Sequence, residues 1–460
     1  MRCDVIARTS RPAKMIDVDT LLQCRWVIPV VPRGLVLENH AVAIDDGKIV
    51  EVLPVDAAAD RYRGREVVQL ARHAVTPGFV NAHTHAAMTL LRGVGDDLPL
   101  MRWLAHRIWP LEKALVSPEF VYDGSRLAAL EMLRSGTTCA SDMYFYPEAS
   151  ARAFRAFGMR FVAGIIAIEF PTAYASDAED YLRKGLAVRD DLRSDSMVSF
   201  TLAPHAPYTV SDATLQRIAM LADELDLPVH THVHETDDEI RQSLAQHGCR
   251  PLARLDRLGL VSERLIAVHA VHLDDAEIGL LADRGASIAH CPASNLKLGS
   301  GIAPVARAAA AGVNLALGTD GAASNNRVDM LSELRLAALL AKGATGDASV
   351  LPAPDVLDAA TLGGARALGL QRRIGSIEPG KEADLVAFDL AQPETQPLYD
   401  VISHLVYSAG REQVSEVWVG GRRVVEARQV LLASAHADLM PGVGAWQNRC
   451  RQILLTVGAS

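Results

Sequence analysis

The chain has no Cys-x-x-Cys pair. Its six cysteines, Cys3, Cys24, Cys139, Cys249, Cys291 and Cys450, lie scattered over 460 residues. That is the usage of a reduced, cytoplasmic protein, and it argues against a structural thiolate zinc site. A basic block is also missing. The net charge is −9, so nucleic acid is not an expected partner. No apolar run reaches the roughly 18 residues needed to span a bilayer, and no membrane association is expected. Met1 to Lys14 lack the apolar core of a signal peptide and read as a loose leader before Met15. What remains is an ordinary globular composition, 49% hydrophobic and 22% charged. The length suits one large domain and a smaller one.

Both ends of the chain read as short strands and turns. Near the start, Ala41 to Ile44, the turn Asp45-Asp46-Gly47, and Lys48 to Val52 form a hairpin signal. Near the end, Ala383 to Phe388 reads as a strand. Val417 to Val419, Gly420-Gly421 and Arg423 to Val425 form a second hairpin. Neither end has enough apolar strand to close a core alone, so the two are expected to pair into one small β-sandwich. Between them, short apolar runs alternate with helical stretches. The runs end at Val80, Asp142, Ile168, His205, His232, His269, His290 and Asp320. Helical stretches include 117–135, 212–225, 237–248, 274–284 and 328–342, with Asp212, Asp237 and Asp274 as N-caps or first-turn acids. Eight strand-then-helix units predict a parallel (β/α)8 TIM-like barrel. The expected organisation is 15–73 and 378–440 for the two parts of the sandwich, 74–377 for the barrel and 441–460 for a tail.

The chain is organised around Val80-Asn81-Ala82-His83-Thr84-His85. Strand side chains alternate, so His83 and His85 share a face, as half of a transition-metal site would require. A lone His-x-His is weak evidence, more often two ordinary polar residues at a strand end, so the other runs decide. Nine of the fifteen histidines end such runs: His83, His85, His205, His230, His232, His234, His269, His272 and His290. Alternation places His230, His232 and His234 on one face, and one metal cannot take all three. Glu235 follows, a carboxylate able to move protons beside an activated water. Asp320, at the end of the last apolar run, would be costly to bury unpaired. It reads as a helix cap, an ion-pair partner, a ligand or a base. With three histidines nearby, ligand or base is preferred. Strand four ends in His205 and carries no lysine to bridge two metals, which predicts one metal per chain.

Together, Asn81-Ala82-His83-Thr84-His85, Ala203-Pro204-His205-Ala206-Pro207-Tyr208, His232-Val233-His234-Glu235-Thr236 and residues 317–325 resemble the amidohydrolase superfamily. Trp109-Pro110-Leu111-Glu112 and Thr319 to Asn325 narrow the resemblance to 5′-methylthioadenosine/S-adenosylhomocysteine deaminases. Further matches include Ser141 to Tyr144 and His290-Cys291-Pro292-Ala293-Ser294-Asn295. The resemblance spans about residues 20 to 430. It implies that His83, His85, His232 and Asp320 hold one divalent metal, most often zinc. It further implies that Glu235 carries a proton to the ring nitrogen and that His269 hydrogen-bonds the attacking hydroxide or the tetrahedral centre. Asp320 would take the proton of the attacking water and pass it to ammonia. Glu112 would bind the ribose hydroxyls and His205 would contact the nucleoside. The other nucleobase-deaminase signature, His-x-Glu with Pro-Cys-x-x-Cys, is absent, so deamination would fall to this barrel site.

The implied partner is a small purine nucleoside, and a homo-oligomer is compatible with the sequence. A second reading keeps the site and changes the ring to guanine, 8-oxoguanine or a triazine. A third, a dead barrel used as a scaffold, is disfavoured because all four ligands and the proton carrier are present. His230, His234, His272 and His290 are expected to pack or to hold other side chains. Met101, Trp103 and Trp109 are candidates for lining a purine or thioether pocket, or for core. A buried carboxylate such as that of S-adenosylhomocysteine wants an arginine, which the resemblance would place on or after strand three; here that strand starts at Arg160, at the wrong end, and runs apolar to Glu169. Methylthioadenosine is therefore the expected better substrate.

Overall fold

The structure, a computed structural model, describes residues 15–431 and 438–457. The leader Met1 to Lys14, with Cys3, lies outside the described residues. Four strands come first: β1 (Ile16–Val27), β2 (Leu37–Asp45), β3 (Lys48–Pro54) and β4 (Tyr62–Pro77). The barrel follows, with β5 (Phe79–Thr84), β6 (Thr137–Asp142), β7 (Arg160–Ala167), β8 (Val198–Pro204), β9 (Val229–Val233), β10 (Leu265–His269), β11 (Ser287–His290) and β12 (Asn314–Leu317). Four more strands close the order: β13 (Leu385–Asp389), β14 (Val414–Val419), β15 (Arg422–Glu426) and β16 (Gln429–Val430).

β5 to β12 form one parallel sheet in sequence order. β12 lies beside β5, which closes the sheet into a barrel. The seam is cross-linked by side chains. Asn81 donates from Nδ2 to Thr319 Oγ1 at 2.8 Å and accepts from the Thr319 amide at 3.0 Å, while the Asp320 amide donates to the His83 carbonyl at 3.0 Å. Helices between the strands start where the sequence indicates. Asp274 caps Asp275–Asp283 in a full capping box with Glu277, while Ser211 and Thr236 cap the helices that begin at Asp212 and Asp237.

The termini build a second sheet of eight strands, ordered β16-β15-β14-β13-β4-β1-β2-β3. Both expected hairpins are present, as β2–β3 and β14–β15. The long β4 joins the halves, parallel to β1 and antiparallel to β13. Leu22, Val42 and Val75 from the first half share one apolar cluster with Leu385, Ala387 and Trp418 from the second. Most of the expected tail is a helix, Leu439–Val457, packed on the helix Pro118–Arg134. Trp446 meets Phe120 edge to face, centroids 5.3 Å apart, and donates from its indole to Asp123 at 2.9 Å. Pro441, Gly442 and Gly444 mask this helix in the sequence, since both residue types disfavour helix interiors. No helix among the described residues is long and apolar enough to cross a membrane.

Candidate active site

The C-terminal ends of the barrel strands surround a cavity of about 610 Å3. Its floor is a histidine cluster. The rings of His83 and His85 lie 4.8 Å apart, those of His83 and His232 4.9 Å, and those of His232 and His269 5.4 Å and stacked. Ligand atoms of His83, His85 and His232 lie within 4.8 Å of one another, and so do those of His83, His269 and Asp320. Asp320 Oδ1 is 3.3 Å from Nε2 of both His83 and His85.

The surroundings decide which ring nitrogen faces the centre. His85 donates from Nδ1 to the Met143 carbonyl at 2.6 Å, and His232 from Nδ1 to the His205 carbonyl at 2.6 Å. A carbonyl only accepts, so each Nδ1 carries the hydrogen and each Nε2 presents a lone pair. Nδ1 of His83 is bound to Nε2 of His230 at 2.9 Å, and its own Nε2 is buried with no hydrogen-bond partner. Burial pushes the His83 imidazole down to about 4 and holds His232 well below its ordinary value, so both are neutral at pH 7. Burial alone would raise Asp320, but the imidazoles of His83, His85 and His269 facing it outweigh that and hold the carboxyl well below its ordinary value. Three imidazole nitrogens thus lie within 4.8 Å of one another, with an Asp320 carboxylate oxygen 3.3 Å from two of them. That donor set fits a divalent cation of the zinc type.

The remaining polar groups are anchored in turn. Asp320 Oδ2 accepts from Ser294 at 2.5 Å and Ser324 at 2.7 Å, while Oδ1, which faces the histidines, accepts from the Gly321 amide at 2.8 Å. His269 donates from Nδ1 to Asn295 at 2.8 Å, and its Nε2 is 3.8 Å from Glu235 Oε2. Burial raises Glu235, its neighbour His269 pulls it back and Asp320 adds to the rise, with a net upward shift. The Glu235 amide donates to Glu239 at 2.9 Å, which fixes the turn. Glu112 accepts from the Tyr144 hydroxyl at 2.7 Å and is pushed up mainly by burial. His205 shares a 3.0 Å hydrogen bond between Nδ1 and Thr209 and lines the cavity, with burial pushing it down to about 3.

All eight singled-out residues therefore gather around one site: His83 borders its floor, and the other seven line the cavity. The open histidines separate. His230 supports His83. His234 turns away at φ +56°, accepting from the Leu252 amide at 3.0 Å. Strand alternation assigned it to the shared face, but β9 ends at Val233 and the left-handed residue that follows breaks the period. His272 meets the Ser300 carbonyl and Asp237, and His290 is buried. Trp103 and Trp109 line the cavity, whereas Met101 does not. Asn81, Asn295, Ser294 and Ser324 were not assigned roles from the sequence. Their signal lay in the same short motifs: Asn81 stands just before His83, Ser324 just after Asp320, and Ser294 and Asn295 just after the open His290.

Comparison with known proteins agrees with this geometry. The chain belongs to the amidohydrolase family, whose model matches residues 74–424. It is 44% identical over 432 residues to a 5-methylthioadenosine/S-adenosylhomocysteine deaminase of Teredinibacter turnerae, covering 94% of this chain and 98% of that one. Among solved structures, an adenosine deaminase from Xanthomonas campestris with bound zinc superposes with a TM-score of 0.93. It is 51% identical, with 95% of this chain and all of that one covered. A zinc complex of atrazine chlorohydrolase from Arthrobacter aurescens is 25% identical, with a TM-score of 0.86, covering 92% and 100%.

Proposed function

We propose that the protein is a metal-dependent hydrolytic deaminase of 5′-methylthioadenosine, with adenosine and S-adenosylhomocysteine as further substrates. The products are the inosine analogue and ammonia. The observation that carries the reading is the convergence of His83, His85, His232 and Asp320 at the floor of a cavity that also holds Glu235, His269 and Glu112. In this reading those four hold one divalent cation per chain, and zinc suits the donors. Such a cation lowers the pKa of water from about 16 to about 7 and supplies hydroxide at neutral pH.

The side chains do the rest. Glu235 carries a proton to the ring nitrogen next to the carbon under attack; burial lets it keep that proton to a higher pH than an exposed glutamate. His269, oriented by Asn295, hydrogen-bonds the oxygen entering at that carbon. Asp320, steadied by Ser294 and Ser324, accepts the proton of the attacking water and hands it to the departing ammonia. Glu112, held by Tyr144, binds the ribose hydroxyls, and His205 contacts the nucleoside. Glu112 favours a nucleoside over a bare guanine or triazine ring. Five cysteines among the described residues are free, which accords with a cytoplasmic setting.

Methylthioadenosine is the better substrate in this reading. Arg160 is turned to the opposite end of the barrel, on Asp384, and Glu169 is tied to Ser211 and Thr214. No arginine is among the described residues lining the cavity. An amino-acid carboxylate without its partner would cost roughly two orders of magnitude in kcat/KM. The test is a deamination panel of methylthioadenosine, S-adenosylhomocysteine, adenosine, guanine and a triazine, with elemental analysis in parallel. About one equivalent of metal per chain and highest kcat/KM on methylthioadenosine are expected. Two equivalents would sink the single-metal assignment, and preference for guanine or a triazine would sink the nucleoside reading.

A further inference from the structure

The cavity is apolar well beyond its catalytic floor. Trp103, Ile108, Val116, Phe145, Ile166 and Ile168 form buried walls. Trp109, Phe170 and Tyr208 line the same cavity yet stay 44%, 46% and 38% exposed, which puts them at its opening. A single exposed aromatic residue is ordinary. Three that converge on one opening, continuous with an apolar cavity, are the pattern of a binding surface for an apolar group. They come from three separate elements: Trp109 starts the helix Trp109–Leu115, Phe170 follows β7 and Tyr208 follows β8.

Charge at this opening is sparse. Lys113 is the only lysine or arginine lining the cavity among the described residues. Glu112, one residue earlier, accepts from Tyr144, and the Glu169 carboxylate beside Phe170 accepts from the Ser211 amide at 2.9 Å and from Thr214 Oγ1 at 2.7 Å. A zwitterionic tail needs a partner for each charge; among the described residues lining the cavity Lys113 is the one cation, and the Glu112 and Glu169 carboxylates already accept hydrogen bonds. A neutral apolar tail needs only surface.

Resting on the nucleoside reading above, we propose that this aromatic opening is a subsite for bulky, uncharged groups on the 5′ sulfur. The enzyme thereby deaminates 5′-alkylthio- and 5′-arylthioadenosines at least as well as the methylthio compound. The chemistry is unchanged. Water adds at the amino-bearing carbon, the carbon–nitrogen bond breaks and ammonia leaves, while the thioether stays intact. The substituent acts through binding alone, with its methylenes or ring leaving water for the faces of Trp109 and Phe170.

The test measures kcat/KM of the metal-replete, full-length enzyme on 5′-methylthio-, 5′-butylthio- and 5′-phenylthioadenosine and on S-adenosylhomocysteine. Wild type and the Trp109→Ala, Trp109→Phe, Phe170→Ala and Lys113→Ala variants are compared. The butylthio and phenylthio compounds are expected to equal or exceed the methylthio compound, by up to roughly 10-fold, since each buried methylene is worth a few-fold. Trp109→Ala and Phe170→Ala should erase that gain mainly through KM, and Trp109→Phe should restore part of it. A 10-fold fall from methylthio to butylthio would overturn the subsite while leaving the nucleoside reading intact. Efficient S-adenosylhomocysteine turnover that disappears in Lys113→Ala would instead make the opening a seat for a charged tail. If no adenosine nucleoside is turned over, both readings fall.

Discussion

Each imidazole of the floor is told which nitrogen to present by the hydrogen bond its other nitrogen makes. His85 and His232 use backbone carbonyls, His269 uses Asn295 and His83 uses His230. The ligand types were legible in the sequence because the chemistry needs histidine and carboxylate at strand ends. The partners were less so, because a carbonyl carries no sequence signature at all. Glu235 is the residue whose role is most directly separable. In Glu235→Gln the amide cannot carry a proton, and the side chain is not among the converging ligands. We expect metal content to stay at the wild-type level and kcat to fall about 10²- to 10⁴-fold. Loss of metal in this variant, or wild-type turnover, would refute the assignment. Glu333 offers a test by pH. Its carboxylate is fully buried and accepts from the Ala293 amide at 3.1 Å and Asn325 at 2.8 Å, yet burial outweighs both and pushes it up to about 8. The folded value lies above the unfolded one, so the folded state binds the proton more tightly. Its contribution to stability is fully present below about pH 4.5 and is lost as pH rises through about 8. The Tm of the wild type should therefore fall between pH 5 and 9 with a steeper slope than that of Glu333→Gln, whose side chain does not titrate. Parallel slopes would show that Glu333 is ionised throughout.

At the scale of elements, the places where simple strand periodicity fails are the places where the site is built. His234, His269 and Asp320 all take positive φ, at +56°, +68° and +58°, at or just beyond strand ends. Such conformations are costly for residues with a Cβ and persist where surrounding contacts over-determine them. Period-two reasoning carries His83 and His85 to one face but misplaces His234, since it assumes extended backbone to the last residue. The seam between β5 and β12 shows a second limit. Gly318 looks like an ordinary loop glycine in sequence. In space, a Cβ there would sit 2.9 Å from the amide nitrogen, carbonyl oxygen and Cβ of His83. The close approach lets the Asp320 segment reach the histidines. Gly318→Ala is expected to cost about 1–3 kcal/mol by overpacking and to reduce metal occupancy, because relief comes only by moving His83. Gly279, on the helix Asp275–Asp283 with open space where its Cβ would be, supplies the control. Gly279→Ala should leave occupancy unchanged and Tm equal or higher. Full occupancy in Gly318→Ala would mean that the seam yields without disturbing the ligands.

For the whole molecule, alternation of apolar runs and helices made the barrel legible, and the weakness of each terminal segment alone made their pairing legible. The clamp between the two sheets was not. Arg160 opens β7 at the end of the barrel away from the cavity, and in sequence it stands out only as a charge at a strand start. In space it is fully buried. It donates from Nε and Nη2 to Asp384, just before β13, at 2.8 and 2.9 Å, and also pairs with Glu382. Asp384 accepts in addition from the Gly420 amide at 2.7 Å, in the turn between β14 and β15. One ion pair thus ties the barrel to three strands of the terminal sheet. Such pairs add little over a well-packed apolar substitute, but breaking one leaves a charge stranded, at a cost of about 3–5 kcal/mol. Asp384→Asn should sit near the lower end, about 3 kcal/mol, since Glu382 still faces the guanidinium. The expected result is a Tm lower by several degrees with kcat and metal content near wild type, because the cavity draws on β7 only at Ile166 and beyond. Replacing both partners, as in Arg160→Met with Asp384→Leu, removes the stranded charge and should recover part of the loss, although the Gly420 amide then lacks its acceptor. A double variant no more stable than Asp384→Asn would show that the Asp384 contact to the β14–β15 turn, rather than the ion pair, holds the two sheets together.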